Sequence, residues 1–169
     1  MENNMTKILN KYILRNTAWL IVPPLFLNLF MGALPGAFSA SHFWANIPAF
    51  IAIPENTFRI MLCALPFIMP LDVVTKRQKL GLAVYVFGLA AYYLSWGAQI
   101  YLPLSAWSTH LAGFLAPAYT ALIWFAGIGL ISDRTFFKSP YRWWMYIVLS
   151  ILFICFHVTH TFIIFSRGI

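Results

Sequence analysis

Four histidines and one glutamate carry most of the chemistry open to this sequence: His42, His110, His157, His160 and Glu55. His157 and His160 stand three residues apart, and on a helix that spacing turns both imidazoles to one face, where they could share a metal ion. With His110 and His42 added, the nitrogen-rich set suits zinc, copper or a haem iron, so a transition metal or haem is the cofactor this pattern implies. The motif is sparse all the same. H-x-x-H comes here without HExxH, a carboxylate pair, C-x-x-C or a Gly-rich phosphate loop. Ser39, Ser41 and Ser108 lie near His42 and His110, but Glu55 is the one acid on that side to orient a base, and a serine nucleophile is not expected.

A second set could bind rather than react. Tyr85, Leu89, Tyr92, Trp96 and Gln99 recur at helical spacing, giving large rings and a terminal amide. Tyr92 and Trp96 could stack on a planar or apolar ligand with Gln99 orienting it, and the same rings would also serve as plain bundle core. Glu55 and Arg59 follow Pro54 at i, i+4. Proline suits a first helical turn and an acid suits a helix N-terminus, so the pair most simply opens and pins a helix. The other use of Arg59 is to hold an anionic head group or substrate carboxylate, with Glu55 beside it.

The elements that must position these residues are transmembrane helices. The chain has 169 residues, of which 62% are hydrophobic and 9% charged, and a mean hydropathy of +0.79. A soluble domain has roughly 45–50% apolar and about 25% charged residues, so this chain lacks the polar surface that water requires. Apolar runs bounded by charge or turn residues predict an all-α, polytopic integral membrane protein, a single domain over 1–169 with five spans at 17–34, 57–74, 80–102, 111–131 and 143–165. A cleaved signal peptide ending near Ala37-Phe38-Ser39 is the rival at the N-terminus. Retention is expected, because Pro23-Pro24 and Asn28 interrupt the run and it outlasts the usual 7–15 apolar residues.

Charge sets the direction. Lys7, Lys11 and Arg15 precede the first span, Lys76, Arg77 and Lys79 join the second to the third, and Arg134, Lys138 and Arg142 join the fourth to the fifth. By the positive-inside bias these three clusters are cytoplasmic, the N-terminus is inside and the C-terminus outside, in what is expected to be a bacterial inner membrane. Aromatic residues at span ends, including Trp19, Tyr101, Trp107, Tyr141, Trp143 and Trp144, fit interfacial belts. The net charge of +7 is dispersed rather than gathered, which excludes a nucleic-acid surface. Lys7, Lys11 and Arg15 fall at i, i+4 and i+8, a short basic amphipathic helix for the anionic lipids of the inner leaflet. Residues 35–54 are uncharged and apolar up to Glu55, with Phe43, Ile47, Phe50 and Ile51 at helical spacing, and should lie along the outer interface.

This orientation puts all four histidines in the outer half. It also leaves prolines inside spans, namely Pro23, Pro24, Pro66, Pro70 and Pro117, each freeing a carbonyl one turn earlier that must meet protein or water. Gly88, Ala91, Ser95 and Ala98 form a small-residue stripe for close helix approach, toward Gly113, Ala116 and Thr120 of the next span or toward a second chain in a homo- or hetero-oligomer. Cys63 and Cys155 are expected as free thiols. The leading functional expectation is binding or transport of a hydrophobic or amphipathic small molecule in an outer pocket. A metal- or haem-dependent membrane enzyme using the histidines is the alternative, and a structural subunit of a membrane complex is the third.

Overall fold

The structure of the protein, a computed structural model, describes residues 10–27 and 36–167. Lys7, Asn28, the end of the expected first span and the side chain of Lys11 lie outside what is described. Among the described residues the chain is built of helices, with one isolated bridge between Asn16 and Pro70 and no strand. Four helices are long: α1 (Ala49–Ala64, prolonged by a 3-10 turn, Leu65–Ile68), α2 (Lys76–Tyr101), α3 (Leu111–Ile131) and α4 (Trp143–Ser166). Each, with α1 counted through Ile68, is long and apolar enough to cross a membrane.

Helices α2, α3 and α4 lie close to the expected spans, but α1 does not. It begins at Ala49 after Pro48 and holds Pro54 in its interior, so Pro48 and not Pro54 marks the start. Glu55 and Arg59 are therefore more than a turn inside the helix, and the reading of Glu55 as a first-turn acid is corrected. At the other end, Pro66 and Pro70 tighten and then stop the helix, and residues 71–74 are irregular. Residues 17–27 form a 3-10 turn, Thr17–Leu20, and a five-residue helix, Val22–Phe26, instead of the start of one continuous span.

α3 is apolar all round and central, with α2 and α4 on either side and α1 against α4. Close approach of α2 to α3 depends on glycine: a Cβ on Gly88 would meet the Trp124 backbone nitrogen at 2.4 Å, and one on Gly127 would meet that of Tyr85 at 2.5 Å. Gly88 is thus used within the chain. Gly113, expected to face the same stripe, instead lets the Trp107 carbonyl come to 1.9 Å from where its Cβ would be.

Two proline-freed carbonyls find partners on neighbouring helices. Pro117 has no N–H for the Gly113 carbonyl, which accepts from Gln99 Nε2 at 2.9 Å. Pro66 leaves the Leu62 carbonyl to the Tyr146 hydroxyl at 3.0 Å. In the N-terminal segment, the Leu20 carbonyl accepts from the Tyr85 hydroxyl at 2.8 Å. The breaks at Pro66 and Pro117 are closed by side chains.

One end of the bundle is tied by charge. Asp72 accepts from Arg15 and, at 2.6 Å, from Arg134, while Arg77 pairs with Asp133 at 3.1 Å. Arg15 is ion-paired here while its side chain stays 66% exposed, and Asp72 pairs across the fold. Burial and the Asp133 charge push the Tyr141 phenol up, so it stays neutral beside this network. At the opposite end the segment 36–46 folds over the helices, and Arg167, just after α4, donates to the carbonyls of Ala45 and Asn46. Asn46 takes a left-handed φ of 53°, which an asparagine tolerates.

Candidate functional site

A carboxylate sunk in an apolar bundle must be paired, and Glu55 is. It is 0% exposed, and both of its oxygens are occupied. Oε1 meets Arg59 and, at 2.9 Å, Nδ1 of His157; Oε2 meets Nδ1 of His160 at 2.5 Å. The i, i+4 spacing on α1 brings Glu55 and Arg59 together, and the i, i+3 spacing on α4 presents both imidazoles to the same acid. Packing of α1 against α4 closes the cluster.

The second nitrogen of His160 fixes a proton count. Nε2 lies 2.8 Å from the Phe43 carbonyl, which can only accept, so Nε2 carries a hydrogen. The 2.5 Å contact between Nδ1 and Oε2 then needs a further proton, on the ring or on the carboxyl. Either way His160 and Glu55 cancel, and Arg59 leaves the cluster with one net positive charge. Nδ1 of His157 donates to Oε1, and no group among the described residues bonds its Nε2.

Rings hold the cluster in place. Phe153, one turn before His157, stacks on it at 5.1 Å and 13°. Phe43 and Trp44 lie 4.1 and 4.8 Å from the His160 ring. The Arg59 guanidinium sits 5.3 Å from the Trp44 ring and 5.6 Å from Phe153, with Asn56 Oδ1 accepting from it at 3.0 Å. Three donors at the end of α4, His160 within it and both arms of Arg167 just after it, thus hold three carbonyls of the segment 43–46, which bears Phe43 and Trp44.

Beside the cluster is a cavity of about 300 Å³, walled by all four long helices, by Ile21, Pro24 and Leu25, and by Phe38, Phe43 and Trp44 of the overlying segment. Arg59 and His157 form part of its wall, whereas Glu55 and His160 do not. Most of the rest is aromatic: Tyr92, Trp96, Phe114, Trp124, Phe125 and Phe153. The indole nitrogen of Trp124 is buried and has no hydrogen-bond partner among the described residues.

Of the residues expected to bind, Tyr92, Trp96 and Arg59 reach the cavity, and Glu55 stands behind Arg59. Gln99 is 2% exposed and committed to the carbonyl that Pro117 frees, so it orients a helix and not a ligand. The expected metal set of His42, His110, His157 and His160 does not assemble: among the described residues no three or more His, Cys, Asp or Glu side chains could hold a metal ion. His110 is exposed and caps α3, its Nδ1 accepting from the Ala112 amide, and His42 is exposed. His157 and His160 converge on an acid and a carbonyl instead. Trp124 and Phe153 are among the wall residues not singled out from the sequence; Phe153 was legible as a ring at i, i+4 from His157, while Trp124 gave no periodic signal in a helix that is apolar all round. Cys63 and Cys155 are free thiols, Cys63 on the cavity wall. Comparison with models of protein families, with curated proteins and with solved structures finds no match to this chain.

Proposed function

We propose that the protein is a multi-pass membrane protein that binds, or carries across the bilayer, an amphipathic small molecule seated in the aromatic cavity with its polar end at Arg59 and His157. The observation that carries this reading is the cavity itself, about 300 Å³, with Arg59 and His157 set in a wall that is otherwise largely aromatic and apolar. An apolar body gains by leaving water for such a wall, and a few fixed polar groups give orientation. In this reading the basic loops are cytoplasmic and the cavity lies in the outer half of the membrane, opposite the Asp72 network.

Thermal unfolding of the full chain in detergent tests the proposal against a panel of lipids and metabolites. Ligand at about a hundredfold above Kd adds roughly 2.7 kcal/mol of stability. Ala118→Phe, which fills the chamber from α3, is expected to abolish that gain; stabilisation that survives it places the ligand elsewhere and overturns the reading. A second reading, acid–base catalysis, is favoured by His157, oriented through Nδ1 by an acid with Nε2 unpartnered. Recovery of bound ligand chemically unchanged after long incubation rules it out.

A further inference from the structure

We infer that the ligand's polar end is an anion, and that the class of molecule taken in is an amphipathic carboxylate with a flat or slender apolar body. This rests on the cavity being the binding site and adds what its wall selects. The charge presented there is one-sided. Glu55 is 0% exposed, absent from the wall, and has both oxygens engaged. Arg59, with 34% of its side chain exposed, is on the wall and carries the one positive charge left over by the cluster. Among the described residues no aspartate or glutamate lines the chamber.

The hydrogen-bonding capacity is one-sided too. A guanidinium has five N–H donors. Two of those on Arg59 are used, by Glu55 and Asn56, so donors remain for a ligand. A carboxylate supplies what those donors lack, two oxygens able to accept from a guanidinium together. A cationic head would meet Arg59 with no acid on the wall to offset it among the described residues, and a purely apolar ligand would leave the remaining Arg59 donors unpaired. The aromatic wall suits a body that presents a flat or narrow face.

The test is calorimetric titration of the full chain in detergent with three probes of one body, 2-naphthoate, 2-naphthamide and 2-naphthylmethylammonium, and with decanoate and decanamide as a second body. In the unaltered protein the carboxylate of at least one body should bind about tenfold or more tighter than its amide, with the ammonium weakest. Arg59→Gln should bring carboxylate and amide to similar affinity, and Arg59→Lys should keep the preference at reduced affinity, since it retains charge without the planar fork. Equal binding of amide and carboxylate in the unaltered protein overturns the inference and leaves the cavity reading standing. If no probe of either body binds, both fall. Because the probe comparison is made in the unaltered chain, it does not depend on whether Arg59→Gln folds.

Discussion

Three side chains converge on the two oxygens of Glu55; without it the fully buried His160 and the part-buried Arg59 and His157 would each lose the acid that pairs them. Buried ion pairs behave asymmetrically. Removing one partner typically costs about 3–5 kcal/mol, whereas replacing the whole pair with apolar groups of similar volume is often close to neutral. Glu55→Ala is therefore expected to lower stability by about that amount, with Arg59 and His160 then confronting each other across the gap. The double variant Glu55→Leu with His160→Leu should be markedly more stable than the sum of its single variants, because it removes the Nδ1–Oε2 contact from both ends. Chemical unfolding in detergent reads both. A Glu55→Ala protein that unfolds like the unaltered chain would show that the cluster does not form. Loss of the Phe43 anchor accompanies any change at His160, so the roofing segment should also become easier to proteolyse in the double variant.

At the scale of elements, proline and the side chain that covers for it form a unit. The Leu62 carbonyl accepts from the Tyr146 hydroxyl because Pro66 cannot serve it, and Tyr146 is fully buried. Tyr146→Phe should cost about 1–3 kcal/mol, the penalty of an unsatisfied buried acceptor. In a Pro66→Ala background the restored amide can bond Leu62 itself, so the same substitution should cost clearly less. A thermal-unfolding cycle of the four proteins measures that difference, and a penalty that is the same in both backgrounds refutes the pairing. These couplings also show what was legible in the sequence. Spans α3 and α4 could be read off because Leu111–Ile131 and Trp143–Ser166 are unbroken apolar runs between charges. The start of α1 was misplaced because Pro54 looks like a first-turn proline, and only tertiary packing makes it an interior one. Tyr92, Trp96 and Arg59, singled out by periodicity and charge, line one cavity, whereas Gln99 donates to a carbonyl freed by a proline on another helix, a partner that no local pattern reports. The convergence of His157 and His160 on Glu55 was beyond reach for the same reason: it joins residues over a hundred positions apart, across an α1–α4 contact that the sequence does not encode locally.

For the whole molecule, the decisive property is that the two ends differ in kind. The end holding residues 15–16, 67–75 and 132–136 is stitched by Asp72, Arg15, Arg134, Arg77 and Asp133 and by the bond from the Phe136 amide to the Ile68 carbonyl at 2.8 Å. The opposite end is roofed by segment 36–46 and carries the short helix Ala106–Thr109, with Leu104 91% exposed beside it. Basic residues cluster at the first end, and an asymmetry of that sign orients membrane proteins with the basic end in the cytoplasm. Cysteine labelling in intact cells checks this. With Cys63 and Cys155 replaced by Ala, Leu104→Cys should react with a membrane-impermeant maleimide in intact cells, and Ser139→Cys should react only after permeabilisation. The reverse pattern inverts the molecule and turns the Arg59 cavity toward the cytoplasm, so that a ligand would have to reach it from inside the cell. Labelling of both sites in intact cells would mean that the Asp72 end and the Leu104 end share one side of the bilayer, which helices α1 to α4 could do only if they do not cross it. The orientation thus determines from which compartment the cavity is supplied, and the maleimide pattern settles it without knowledge of the ligand.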